Sequence, residues 1–147
     1  MYIKSLIQKI CNNNIINKNF TTLLSYGSKE RKFLKKQLGY NGLVQDHHCI
    51  PKEFKNHKLI RILNYDINSS DNLYIMPNNL GIKKLNIHPK TLVHDGGHLK
   101  YNIYVKKQLD WIYYTNNYMD WYVYNFWLLR DHLKKNMRFN QDKLPWK

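Results

Sequence analysis

The sequence predicts a mostly helical α+β domain built around two short strands and the helix that follows them. The 147-residue chain is long enough for one domain with a hydrophobic core. Its hydrophobic residues, 43% of the total, match the share of ordinary globular proteins. Segments with helical spacing of apolar residues flank two short apolar runs, each ended by a proline. We therefore expect a single domain over residues 1–147, without repeats or linkers.

The first part of the chain predicts two helices. Apolar residues at helical spacing predict a short helix near residues 3–11, within an N-terminal helical extension over 1–28. A second helix is predicted over 29–38, with Ser28 as its N-cap and Gly39 as its stop signal. Three apolar residues of this second helix are expected to face the core: Phe33, Leu34 and Leu38.

The middle of the chain predicts the two strands. Residues 43–50 form a short run that enters a turn at Pro51, and residues 72–76 form another that ends at Pro77. Between the strands, residues 52–64 have the apolar spacing of a helix.

Two longer helices are predicted in the last third, after a loop over 78–95. The first should begin near 95–97 and run to about residue 114, and the second should cover about 117–136 within a C-terminal aromatic helix and tail over 116–147. The first helix has four predicted core positions: Tyr101, Val105, Leu109 and Ile112. Aromatic residues lie on several faces of the second, more than one core face can bury, which indicates a homodimer or a protein partner.

The charge of the chain points to a polyanionic partner. Its 24 Lys and Arg against 10 Asp and Glu give a net charge of +14, spread along the sequence. The plainer alternative is a solvated surface in a Lys-rich and Asn-rich protein. The chain has no apolar run of membrane-spanning length and no convincing secretory signal. With Cys11 and Cys49 as its only cysteines, we expect a soluble protein of a reducing, intracellular compartment.

Histidines in two separated segments could bind a metal ion. His94 and His98 have an H-x3-H spacing at a predicted helix start, and residues four apart lie on one helical face. Two imidazoles so placed can reach one ion, and a third ligand must then come from elsewhere. Neighbours in a strand point to opposite faces, so one of His47 and His48 could bind the metal while the other lies beside it. This division suits hydrolysis, with a metal ligand next to a general base.

The ordered motifs resemble the AHH branch of the HNH, or ββα-metal, nucleases. Three carry the resemblance: HHCIP at 47–51, NLYIMP at 72–77 and HDGGHLKYN at 94–102. Two shorter matches, YDIN at 65–68 and LKKQLG at 34–39, agree with them. The resemblance covers about residues 30–110 as the nuclease core. It implies an HNH-like ββα-metal finger and an endonuclease that hydrolyses phosphodiester bonds of DNA, or of RNA, with one divalent ion (Mg²⁺, Mn²⁺ or Zn²⁺).

The resemblance also implies roles for individual residues. His48 would be the general base that takes a proton from the attacking water, and His47, His94 and His98 would hold the ion. Asn72 would brace the loop that carries the base through hydrogen bonds to the backbone.

Other residues around the motifs have less certain roles in this resemblance. Asp46 stands where the family commonly has a small residue, so it is either a metal ligand or a residue that orients a histidine. Three lysines are expected to hold the phosphates of nucleic acid, preferably DNA: Lys52, Lys100 and Lys106. A structural role is expected for the remaining histidines: His57, His88 and His132.

Two further classes of function stay open at this point. One is a catalytically inactive, zinc-stabilised protein that binds nucleic acid. The other is an interaction module or toxin-like effector whose partner contacts lie in the aromatic C-terminal helix. The aromatic residues of that helix are expected to serve the core and a partner surface rather than base stacking: Tyr118, Trp121, Tyr122, Tyr124, Phe126 and Trp127.

Overall fold

The computed structural model describes residues 23–88 and 90–147. The helix predicted over 3–11, and Cys11 with it, lie outside the described residues. The elements wholly within the described ranges follow in this order: α1 (Lys29–Gln37), β1 (Val44–His48), α2 (Lys58–Ile62), β2 (Leu73–Pro77), α3 (Asn79–Lys84), α4 (Leu99–Thr115) and α5 (Met119–Phe139). Short 3-10 turns over Lys52–Asn56 and Ser70–Asn72 lie between the strands. The predicted α+β class, mostly helical around a small two-stranded sheet, is confirmed.

Strands β1 and β2 pair in an antiparallel sheet. Val44 lies opposite Pro77 at one end of the ladder, and His48 lies opposite Leu73 at the other. Both predicted strands are therefore confirmed. Because neighbouring residues of a strand point to opposite faces, His47 leaves β1 on one side of the sheet and His48 on the other.

Helix α1 forms as predicted but turns a different face to the protein. The Ser28 hydroxyl accepts a hydrogen bond from the Arg31 amide at 3.1 Å and caps the helix. Phe33 is 62% exposed and Leu38 is 40% exposed, so the expectation that they face the core is wrong. Arg31, by contrast, is buried, because it forms an ion pair with Asp46 of β1. The polar face of the helix therefore packs on the sheet.

The helix predicted over 52–64 is divided into two pieces. A 3-10 turn is followed by α2, and the extended backbone of His57 separates them. The His57 Nδ1 accepts a hydrogen bond from the Leu59 amide at 3.2 Å and so caps α2. The Nε2 of the same ring lies 3.0 Å from an Asp110 carboxylate oxygen on α4. His57 is thus a structural histidine, as expected.

The stretch predicted as a loop over 78–95 contains helix α3. Asn78 caps this helix, because its side-chain oxygen accepts a hydrogen bond from the Gly81 amide at 2.8 Å. Gly81 also allows a close approach of the chain, since a Cβ there would lie 2.0 Å from the Leu43 carbonyl oxygen. The glycine therefore packs α3 against the start of β1.

Helices α4 and α5 supply half of the buried hydrophobic residues that form the core in the described part of the chain. The four core positions predicted in α4 are all buried, which confirms them. Helix α5 buries one stripe of apolar residues: Tyr122, Phe126, Leu129, Leu133 and Met137. Its opposite side leaves Tyr124 65% exposed and Leu128 50% exposed. In the described part of the chain, no helix combines the length and the apolar character needed to span a bilayer.

Candidate metal centre

Three histidines from different parts of the chain meet at one point. His47 lies in β1, His94 lies in the loop after α3, and His98 immediately precedes α4. Each offers a ring nitrogen, and these three atoms lie within 4.8 Å of one another. The ring centroids are 5.6 Å apart for His47 and His94, 5.5 Å for His47 and His98, and 5.2 Å for His94 and His98. We call this set the histidine triad.

A loop, rather than a helical face, brings His94 and His98 together. Helix α4 begins at Leu99, later than the predicted start near 95–97, so the expectation that both histidines share one face of it is wrong. The His94 amide donates to the Pro77 carbonyl oxygen at 2.9 Å, which fastens the loop to the end of β2. Gly96 then turns the chain with a φ of 129°, a conformation that a side chain disfavours.

The ring nitrogens of the triad suit a metal ion. His47 is 6% exposed and His98 is 7% exposed. Among the described residues, the Nε2 of His47 and both ring nitrogens of His98 have no hydrogen-bond partner. Buried polar atoms are nearly always hydrogen-bonded, so such a group of orphaned nitrogens requires an explanation. Nitrogen ligands gathered around a common point fit a divalent ion such as zinc.

The protonation state of the triad agrees with this fit. Burial, followed by the nearby His94 and His98 rings, lowers the pKa of His47 from 6.5 to about 3. Burial also lowers the pKa of His94 and that of His98. All three rings are therefore neutral at physiological pH, and each has a lone pair that can coordinate metal without first losing a proton.

His48 lies beside the triad without joining it. Its Nε2 is 3.3 Å from the Asn68 side-chain oxygen, and its ring centroid is 4.7 Å from that of Tyr26. Burial lowers the pKa of His48, although the Asn68 contact opposes the shift. A cleft of about 240 Å³ joins this ring to part of the triad, and its lining comprises Tyr26, Asp46, His47, His48, Pro51, Lys52, His94 and Asn102.

Asn72 holds the chain immediately after His48. Its side-chain oxygen accepts from the Ile50 amide at 2.7 Å, and its amide group donates to the carbonyl oxygens of Ile50 and Ile67, both at 2.8 Å. The residue is fully buried. Since a buried polar group that loses its partners costs about 1–3 kcal/mol, this network fixes the turn after β1 to the turn before β2.

Asp46 points away from the triad and toward α1. Its two carboxylate oxygens each lie 2.8 Å from a cation, one from Arg31 Nε and the other from Lys35 Nζ. In a strand, its side chain leaves on the face opposite to that of His47. The geometry therefore joins Asp46 to α1 and leaves it outside the histidine group.

The three lysines expected to hold phosphate lie in different surroundings. Lys52 lines the cleft, with its Nζ 3.6 Å from the centre of the Tyr26 ring. Lys100 is exposed on the first turn of α4. Lys106 is two turns further along that helix and forms an ion pair with Asp110 at 2.6 Å. Of these three, Lys52 is the one placed beside the histidines.

Three residues that the motifs did not single out also contact the site. Tyr26 and Asn68 hold the His48 ring, and the Tyr26 amide donates to the Asn68 carbonyl oxygen at 2.8 Å. Asn68 belongs to the YDIN motif, so a signal for it existed. The Trp146 ring packs against His98 at 3.9 Å between ring centroids, yet nothing in its sequence surroundings indicates this.

Comparison with known proteins identifies the family. A family model described as a nuclease family of the HNH/ENDO VII superfamily with conserved AHH matches residues 28–124. No curated protein and no solved structure matches the chain significantly. The matched range holds both strands, α4 and the four histidines of the site, and the His47-His48 pair in it follows Asp46 where the family name has alanine. Because this match extends over more than half of the sequence, the chain belongs to the AHH family of nucleases in the HNH/ENDO VII superfamily.

Proposed function

We propose that this protein is a metal-dependent endonuclease that hydrolyses phosphodiester bonds of DNA, with RNA as the second candidate substrate. One observation supports this most strongly. Three ring nitrogens lie within 4.8 Å of one another, and a fourth histidine outside the group opens onto the same cleft. The arrangement provides a place for a metal ion next to a histidine that would stay uncoordinated and could act as the base.

His47, His94 and His98 would hold the metal. Catalytic sites keep three protein ligands and leave further positions open, whereas structural zinc sites close all four with protein groups. Three imidazoles favour Zn²⁺ over Mg²⁺, which prefers oxygen ligands, although Mn²⁺ and Mg²⁺ are also to be tested. A bound divalent ion would supply charge stabilisation for the phosphate and for the departing oxygen.

His48 would accept the proton of the attacking water. Because burial lowers the pKa of this imidazole, the ring is neutral at physiological pH and can take up a proton. The Asn68 side-chain oxygen, an acceptor, holds the hydrogen on Nε2 of His48. The other nitrogen, Nδ1, is then the one that accepts the proton. Asn72 would keep the ring in place by fixing the backbone that follows it.

Lys52 would hold a phosphate of the nucleic acid at the cleft. Its ammonium group lies over the Tyr26 ring and beside His48, close to the point where the reaction would occur. The net charge of +14 would attract the rest of the backbone. Together these charges favour a polyanion over a small substrate.

The proposal is tested by incubating supercoiled plasmid DNA with the protein and Mg²⁺, Mn²⁺ or Zn²⁺. We expect nicking that EDTA abolishes. His48→Ala should lower the rate by about 10²–10⁴-fold, which is the usual contribution of a general base. His88→Ala is the matched control, because His88 is exposed and its Nδ1 accepts only a local hydrogen bond from the Lys90 amide among the described residues.

Each alternative predicts a different result. Cleavage by His48→Ala at the wild-type rate would show that another group is the base. DNA retardation in a gel, without metal-dependent nicking by the wild type, would instead indicate an inactive, zinc-stabilised nucleic-acid-binding protein. Single-stranded RNA in the same assay separates the two substrate classes.

A further inference from the structure

We propose that residues 140–147, the C-terminal strap, are a working part of the metal centre, and that Trp146 is a positioning residue that tightens metal binding. The proposal rests on the metal site of the proposed function. The strap lies beyond the range 28–124 that the family model matches. It therefore adds to the site something that the family pattern does not describe.

Trp146 contacts two members of the histidine triad. Its ring lies 3.9 Å from that of His98 between centroids, with an angle of 33° between the ring planes. The distance between ring centroids is 5.0 Å to His47 and 5.2 Å to Tyr101, whose ring also contacts that of His47 at 5.4 Å. A large, rigid ring in this position limits the orientations that the His98 imidazole can adopt.

The strap is held to the loop of the triad at two points. The Trp146 Nε1 donates a hydrogen bond to the Val93 carbonyl oxygen at 2.9 Å, one residue before His94. Lys147 forms an ion pair with Asp95, one residue after His94. Both attachments bracket a metal-binding residue, so they restrict the segment that presents it.

The other end of the strap is built into the fold. Asn140 ends α5 in the left-handed conformation, with a φ of 40°. The buried Asn136 side chain donates to an Asp142 carboxylate oxygen at 2.8 Å and accepts from the Asp142 amide at 2.9 Å. Leu144 is 5% exposed and belongs to the hydrophobic core. These contacts carry the chain from α5 back to the triad and fix the position of Trp146.

The strap closes one side of the triad and leaves the other side accessible. His47 and His94 line the cleft that also contains His48, whereas His98 and Trp146 are not among its lining residues. Trp146 therefore covers the ligand that lies away from the base. Removal of a group that orients a metal ligand typically lowers metal affinity by about 10–100-fold. Trp146 should act in this way, by holding His98 and His47 ready for the ion.

The test measures metal binding in the absence of nucleic acid. Zn²⁺ is titrated into the metal-free full chain by calorimetry, and Co²⁺ binding is followed by its absorption spectrum. We expect Trp146→Ala to raise the Kd for Zn²⁺ by about 10–100-fold. Trp111→Ala is the matched control, because Trp111 is 52% exposed on α4 and pairs with Trp121. It should bind Zn²⁺ like the wild type.

A second readout uses the fluorescence of the tryptophans. Bound Co²⁺ should quench the emission of the wild type, and Trp146→Phe should lose most of that quenching while it keeps an aromatic ring over His98. If circular dichroism shows that Trp146→Ala does not fold, the quenching still tests whether the strap lies at the metal site, and the Kd of Trp146→Phe for Zn²⁺ is measured in the same titration. Trp111, Trp121 and Trp127 remain as internal references, since none of their ring contacts among the described residues is with a histidine of the triad.

The outcomes separate the strap from the proposed function. An unchanged Kd in folded Trp146→Ala, or unchanged quenching in Trp146→Phe, would overturn the role of the strap and leave the endonuclease proposal intact. Failure of the wild type itself to bind Zn²⁺ or Co²⁺ would contradict the metal site, and with it both proposals.

Discussion

At the residue scale, Asp46 shows how a carboxylate beside the histidine pair can be accommodated while the three rings of the histidine triad still meet. Its carboxylate is nearly buried and holds two cations of α1, one of which, Arg31, is itself buried. A buried charge without a partner is costly, so Asp46 and Arg31 depend on each other. This pair also explains why α1 turns its polar face to the sheet. Asp46 thereby fixes the helix to the strand that carries His47 and His48.

The predicted consequence is that Asp46 matters for stability and not for metal affinity. Asp46→Ala should lower the free energy of unfolding by about 3–5 kcal/mol, because it leaves the Arg31 charge buried and uncompensated. The measurement is urea denaturation, with Zn²⁺ calorimetry under native conditions. Adding Arg31→Met should recover most of the loss, since the unpaired charge is then removed. Weak Zn²⁺ binding by a stable Asp46→Ala variant would show instead that Asp46 belongs to the metal shell.

His47 makes the stability of the metal-free protein depend on pH. Its pKa is lowered to about 3 in the folded protein, against 6.5 for the ordinary side chain. Between these two values the unfolded chain binds a proton that the folded protein does not bind. The contribution of His47 to the free energy of unfolding is therefore fully present above about pH 6.5, and it is lost as the pH decreases toward 3. The slope from one such group is about 1.4 kcal/mol per pH unit.

This dependence can be measured by urea denaturation in EDTA at pH 7.5, 6.0 and 5.0. His47→Gln should reduce the slope of the free energy of unfolding against pH by about 1.4 kcal/mol per pH unit, the contribution of one proton, because the amide does not titrate. His94 and His98 contribute in the same direction, since burial lowers the pKa of each. Equal slopes for the wild type and His47→Gln would mean that His47 is not buried in its neutral form.

At the element scale, the loop before α4 decides whether the triad can form. Gly96 lies between His94 and His98 with a φ of 129°, which side chains strongly disfavour. We predict that Gly96→Ala weakens Zn²⁺ binding by about 10-fold or more, because a cost of about 1–3 kcal/mol for the strained backbone must be met to assemble the site. Calorimetry with Zn²⁺ provides the measurement.

The neighbouring glycine serves as the control for this prediction. A Cβ at Gly97 would meet no atom within 4 Å, and its φ is not in the left-handed range. Gly97→Ala should therefore bind Zn²⁺ as the wild type does. If both variants bind equally well, the loop conformation does not limit assembly of the triad.

The elements also show which parts of the fold local patterns can predict. The helices α4 and α5 have strong periodic signals, β1 and β2 are short runs that end at a proline, and all four elements form near their predicted ranges. The sequence predicts a loop where α3 forms, because Asn78 and Gly81 are residues typical of turns. In the structure they serve as an N-cap and as a close contact with Leu43. That distinction depends on a tertiary neighbour, which no local pattern contains.

The same limit applies to the candidate site. The H-x3-H spacing and the family motifs pointed to a meeting of His47, His94 and His98, although through a helical face that the structure replaces with a loop. Trp146 could not be anticipated, since it is far along the chain and reaches the triad through the strap. Likewise, the burial of Arg31 follows from its pairing with Asp46, which is a contact between two elements.

At the scale of the whole molecule, the protein combines a large positive net charge with a small candidate cleft. The net charge of +14 comes from the full sequence, while Lys52 is the one lysine among the described residues that line the cleft. Affinity for nucleic acid should thus come mainly from many phosphate contacts across the protein. Only a few contacts, such as that of Lys52, should position the phosphate at the cleft. Such binding weakens with salt because each phosphate contact releases a condensed counterion.

Salt dependence therefore provides the test of how the charge is used. Fluorescence anisotropy with duplex DNA between 50 and 200 mM KCl, in the His48→Ala background to prevent cleavage, should show a linear fall of log K with log salt. Lys52→Ala should make that slope shallower by about 0.9, the value for one phosphate contact. Lys106→Ala is the matched comparison and should change the slope less, because Asp110 already compensates the Lys106 charge at 2.6 Å. A Lys52→Ala slope equal to that of the parent protein would place the bound DNA away from the cleft, whatever its overall affinity.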